Sequence, residues 1–308
     1  MKRTFATTTF AFALLGVAAC KGGGGDAAKL IPESATMVGG VDLAALQSTQ
    51  SWKDNKGMVE SQGKEVLDAM SACNLGLDKW KSLTFGVDPS GGEKFAAVVV
   101  ADGLGKKENL DCAAGKIKEK SGKDPWTAEE EGKVLKMDGD KGVAYVVDDN
   151  TIAVASKDWA DAVKGLTKGE GKNAFDGPLK DVIGRTDTGK HVWFAGKIPD
   201  DAKGMAKMAG DIGEPQDVAG WMDLSGGIEL WVAVGLKDAD QATKAKDTIQ
   251  TQFDGMKAMA GQFGVPQGVV DSVKFDTKDN AFTVTAKASD ADLKTIQEKV
   301  MGGMMGGM

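Results

Sequence analysis

A nucleophilic serine or cysteine needs a base beside it, and this 308-residue chain has one histidine, His191. His191 stands at the start of an alternating, strand-like segment, where a structural role is the ordinary reading. No serine lies in a G-x-S-x-G elbow. Lys168-Gly169-Glu170-Gly171-Lys172 has the flavour of a phosphate loop without its spacing or its hydroxyl residue, and reads as a linker. No G-x-G-x-x-G follows a strand, so no dinucleotide site is expected. Asp138-Gly139-Asp140-Lys141-Gly142 lacks the third acidic position and the closing glutamate of a calcium loop, and reads as a turn. Two well-placed carboxylates suffice for glycoside hydrolysis, and 45 acidic residues keep a carboxylate-based hydrolase as a remote alternative. The expectation is a non-enzyme, with no catalytic, cofactor-binding or metal residues assigned and no cofactor.

Two constellations suit binding. Trp231 alternates with Leu230, Val232 and Val234, so Trp231 and Glu229 fall on the opposite side of their strand. An indole exposed there would make a partner-binding surface. At the C-terminus, Met301, Met304, Met305 and Met308 place four soft thioethers on a glycine chain, a ligand set suited to Cu(I). That makes a carrier or sensor of Cu(I), or of a small apolar ligand, the alternative to a simple binding module. Met205 and Met208 read as core gap fillers.

The N-terminus says where such chemistry would operate. Lys2 and Arg3 precede a mostly apolar stretch, Phe5 to Gly16, and then Val17-Ala18-Ala19-Cys20. This is a secretory signal over residues 1–19, too short for a membrane span. The last four residues resemble the bacterial lipobox, which implies lipidation of Cys20. A glycine-rich tether, 20–29, follows. Lys21 after the lipidated position points, by resemblance to the enterobacterial sorting rule, to the outer membrane, with the protein facing the periplasm or the exterior. Cys73 and Cys112 remain, and an even pair in an exported chain reads as a disulfide. With 38 basic against 45 acidic residues the net charge is −7, which argues against nucleic acid as a partner. Arg185 is the only arginine beyond Arg3.

The elements that would position these residues follow the hydrophobic periodicity. Strand patterns at Ala35 to Leu43, Leu83 to Val87 and Phe95 to Ala101 surround a helical pattern from Met58 to Cys73. A short helix around Leu110, a strand at Gly132 to Met137, a hairpin across Asp148-Asp149-Asn150 and a closing helix complete the first half. The second half repeats the order, with strands at His191 to Ile198, Trp221 to Leu224, Ile228 to Leu236, Ser272 to Phe275 and Ala281 to Ala286. Its helices run from Ala202 to Ile212, from Ala242 to Phe263 and from Ala291 to Val300. The predicted fold is α+β: two tandem split-βαβ-like repeats, 30–168 and 188–300, with antiparallel sheet(s) and helices packed on one face. Residues 169–187 form a linker with a short helix after Gly177-Pro178, and 301–308 form a disordered Met/Gly tail.

The lipobox, "IPESATMVGGVDL" (Ile31 to Leu43), "SLTFGVD" (Ser82 to Asp88), "FAAVVVADG" (Phe95 to Gly103) and the placement of Cys73 and Cys112 together resemble uncharacterised, predicted envelope lipoproteins of myxobacteria and related bacteria. The resemblance implies an exported α+β head with no established activity. The function expected is a non-catalytic, lipid-anchored envelope protein acting as a binding or structural module. Its partners would be the membrane, through the lipid, and an envelope protein.

Overall fold

The computed structural model describes residues 27–89, 94–137, 139, 142–200, 212–261 and 264–305. The leader, Cys20, the start of the tether, the acidic positions of the 138–142 turn, Met205, Met208 and the side chains of the methionine tail lie outside them.

The chain opens with β1 (Met37–Asp42), α1 (Leu43–Ser48) and α2 (Gln50–Ala72), then β2 (Trp80–Asp88), β3 (Lys94–Ala101) and α3 (Lys107–Ser121). Next come β4 (Trp126–Glu129), β5 (Val134–Met137), β6 (Val143–Asp148), β7 (Thr151–Ala155), α4 (Ala160–Thr167) and α5 (Lys180–Ile183). The rest is β8 (Val192–Lys197), β9 (Asp217–Asp223), β10 (Ile228–Gly235), α6 (Ala239–Ala260), α7 (Gln267–Ser272), β11 (Lys274–Lys278), β12 (Ala281–Ala288) and α8 (Asp290–Met305). Among the described residues all strands join one open antiparallel sheet of 12 strands, ordered β11-β12-β10-β9-β8-β1-β2-β3-β7-β6-β5-β4. The α+β class holds, and a single sheet spans both halves. The link is β1, which pairs with β2 on one side and with β8 on the other.

Helices cover both faces of this sheet, which corrects the one-face expectation. On the front, α4, α5 and the segments around Ile31 and Leu179 bury Val38, Val98, Ala153, Trp193 and Ala195. On the back, α1 covers Val41, the α2–α3 corner covers Ala144 and Ile152, and α6 covers Leu236 and Phe282. The reason is visible in β3, whose unbroken apolar run Phe95 to Ala101 supplies side chains to both sides. Strand β4, helix α1 and helix α7 are short and carry little periodicity, and the sequence pattern did not single them out. Helix α8 continues to Met305, into the segment expected to be a disordered tail.

Local chemistry starts the helices. Asp42 caps α1 by accepting from Ala45 N–H, Thr49 Oγ1 caps α2 through Trp52 N–H at 3.1 Å, and Asp238 caps α6 through Gln241 N–H at 2.9 Å. Ala242 and Ala245 are fully buried, so small side chains bring α6 close to the sheet. Helix α2 is different: none of its described side chains is fully buried, and Met58 and Val66 are 54% and 64% exposed. A disulfide joins Cys73, at its C-terminal end, to Cys112 on α3, with Cα atoms 5.5 Å apart.

Candidate functional site

Three tryptophans form a row across the middle of the second half. Trp193 on β8 lies directly opposite Trp221 on β9, and Trp221 lies opposite Trp231 on β10, all on the front face. The row begins at Gly40 on β1 and continues to Thr285 on β12 and Lys274 on β11. A Cβ at Gly40 would collide with the Trp193 indole, so glycine is what lets this ring pack onto β1. Trp193 is buried, and its ring meets Phe175 edge-on at 5.8 Å. Trp221 and Trp231 are stacked, with centroids 6.3 Å apart and planes 12° apart, and both are half-buried against the front core.

Charged groups rim the pair. Lys190 Nζ sits 4.6 Å above the Trp221 ring and 2.8 Å from Asp223 Oδ2. Its hydrogen bond to Asp223 raises the lysine pKa. Asp223 also accepts from Ser225 N–H at 2.9 Å and Ser225 Oγ–H at 2.6 Å. Partial burial pushes the Asp223 carboxyl up, but the bonds from Lys190 and Ser225, with the lysine charge, more than offset this. The carboxyl is held well below the ordinary carboxylate range. Glu229 lies opposite Asp223 in the register and pairs with Lys287 at 2.8 Å. Thr283, Thr285, Lys287, Lys274 and Asp276 continue the same face and are exposed or half-exposed.

Trp231 and Glu229 thus face away from Leu230, Val232 and Val234, as the alternation predicts. The face they share is partly roofed by α4 and α5 rather than bare. The pairing of Trp231 with Trp221 escaped the sequence reading, although the signal was present: the two flank the Ser225-Gly226-Gly227 turn symmetrically. His191 has a structural task. Its Nδ1 accepts from Leu224 N–H at 3.2 Å, beside Asp223 Oδ1 at 3.3 Å, and its carbonyl receives Asp42 N–H. The Ser225 hydroxyl donates to the Asp223 carboxylate, and His191 Nδ1 accepts the Leu224 N–H. The arrangement offers an aromatic strip with charges of both signs around it.

Elsewhere, Arg185 Nη2 pairs with Asp217 Oδ1, and Lys197 Nζ reaches Asp217 Oδ2 at 3.3 Å. Lys168 to Lys172 form a turn in which Gly169 and Gly171 take positive φ. Among the described residues, no group of three or more His, Cys, Asp or Glu side chains is placed to hold a metal ion. No described helix is long and apolar enough to cross a membrane. A cleft of about 620 Å³ opens at β4 among Lys123, Asp124, Glu129 and Lys136, and an apolar cleft of about 170 Å³ lies under Met256 and Met259. Neither combines the size and the apolar lining that a carrier of a small apolar molecule needs.

No known protein family matches the chain, and no curated protein matches it. Solved structures similar in fold include crystal forms I and III of TP0453 of Treponema pallidum. Each gives a TM-score of 0.50 at 8% identity over 88% of this chain, and over 95% and 96% of TP0453 respectively. At that identity the likeness extends to the fold alone. No family is assigned.

Proposed function

We propose that the chain is a non-catalytic binding module of the bacterial cell envelope, held to the outer membrane by lipid on Cys20, with the Trp221–Trp231 strip as its contact surface for an envelope protein. The observation that carries this reading is the stacked, half-buried indole pair with Lys190, Asp223, Glu229 and Lys287 at its rim. Aromatic side chains with a charged rim are what protein interfaces favour. The disulfide is in keeping with an oxidising, extracytoplasmic compartment. Two variants test the two parts of the reading. Cys20→Ala should move the protein from the membrane to the soluble fraction, and retention in the membrane would overturn the anchor. Trp231→Ser should abolish envelope cross-links formed from a photoreactive group at Thr285 while leaving the fold intact by circular dichroism. Unchanged cross-links would overturn the surface.

We infer also that the two halves are repeats related by a twofold axis between β1 and β8. Outward from β1 the order is β2-β3-β7-β6, and outward from β8 it is β9-β10-β12-β11. Equivalent hydrogen bonds recur: Ala101 N–H donates to Asn150 C=O at 2.9 Å, and Leu236 N–H donates to Asn280 C=O at 2.8 Å. Both asparagines sit at the tips of corresponding hairpins. Superposing the five strands of each half in an experimental structure tests this, and a mismatch in strand register would overturn it.

A further inference from the structure

The sheet ends in the four-residue β4 on one side and in β11 on the other, and among the described residues each has one neighbouring strand. Ser272 Oγ bonds both the N–H and the C=O of Lys287, which lies across from it. Along the same ladder Lys274, Asp276 and Lys278 lie opposite Thr285, Thr283 and Ala281. By the alternation of an antiparallel ladder, the peptide groups of these three face β12, and those of Phe275 and Thr277 face outward. The Thr277 N–H faces away from β12 and donates to Oδ1 of the neighbouring Asp276 at 2.7 Å, a local bond that pairing with a partner strand exchanges for one between chains. Beside this edge, Met256 and Met259 on α6 are 54% and 45% exposed and line the apolar cleft with Phe253 and Val270. Phe275 carries the patch down to the strand, with its ring 5.4 Å from Phe253.

The charges on β11 are complementary to a second β11. In an antiparallel pair with Phe275 opposite the partner's Phe275, Lys274 falls opposite the partner's Asp276, and Asp276 opposite the partner's Lys274. Moving one chain by two residues instead sets Asp276 against the partner's Asp276 and Lys274 against the partner's Lys278. Like charges directly opposite are unfavourable, so charge selects the first register. Outward peptide groups meet outward peptide groups in that register, as pairing requires.

We propose that β11 is a homodimer interface, at which a second copy of this chain continues the sheet in the register Phe275 to the partner's Phe275 and covers the Met256–Met259 patch. The test uses the full-length chain with its leader, in oxidised membranes. Phe275→Cys should form a disulfide-linked dimer, because Cα atoms in such a pair lie about 5.5 Å apart. Thr277→Cys should cross-link about tenfold less, since in this register residue 277 faces the partner's Val273. Adding Asp276→Lys to Phe275→Cys should reduce the dimer about tenfold, and adding Lys274→Asp as well should restore it. Sedimentation of the wild-type chain in detergent supplies a measurement free of substitutions, with a dimer expected. Cross-linking of Thr277→Cys equal to that of Phe275→Cys, indifference to Asp276→Lys, or a wild-type monomer at every concentration would overturn the proposal.

Discussion

Asp223 carries the electrostatics of the tryptophan strip. Its folded pKa is depressed, so its contribution to stability is complete above the unfolded value of about 3.9 and is lost as pH falls through the folded value. Asp223→Asn should therefore destabilise by about 1–2 kcal/mol at neutral pH. The gap from the wild type should narrow below about pH 4. Thermal melts across pH would check this, and a gap independent of pH would assign the loss to packing. Thr84 poses the opposite case. It is buried at 1% exposure, and among the described residues its Oγ1 has no hydrogen-bond partner. Thr84→Val removes an unmet polar atom at nearly constant shape, so a change between neutral and about 1 kcal/mol stabilising is expected, read as an unchanged or higher melting temperature. Neither effect was legible in the sequence. Asp223 and Ser225 are neighbours there, but Lys190 meets them only across strands.

Among the elements, α2 depends most on its ends. Thr49 caps one end, and the Cys73–Cys112 bond fixes the other to α3, while the surface between stays largely exposed. A bond closing a 40-residue loop stabilises by roughly 4 kcal/mol in the chain-entropy treatment. Cys73→Ser with Cys112→Ser should lose up to that amount. Amide exchange should rise first in α2 and the start of α3, and uniform acceleration across the sheet would show that the bond acts on the molecule as a whole. The disulfide was readable from the cysteine count together with the export expected from the N-terminal pattern. So were most strands, because alternation in segments such as Leu83 to Val87 reports one buried side. Coverage of both faces was harder to read. An apolar run such as Phe95 to Ala101 fits a strand buried twice over, but the helices that bury its front side, α4 and α5, lie far along the chain.

At the scale of the molecule, one sheet makes both halves a single structural body. Unfolding either half exposes an edge of β1 or β8 and the core around Val38 and Trp193. A single calorimetric transition is expected, and two resolved transitions would mean that β1 and β8 do not couple the halves. This joining was not visible in the sequence, which left one sheet or two open, because no local pattern says which strand a distant strand will choose. The same joining sets an order of events. During synthesis β1 appears early, and its neighbour β8 follows roughly 150 residues later. Until then β1 waits with one side of its backbone unsatisfied, and closing so long a loop is slow. The seam at the centre of the finished sheet is therefore expected to close slowly, and a refolding rate sensitive to substitutions at Val38 or Ala195 would record that step.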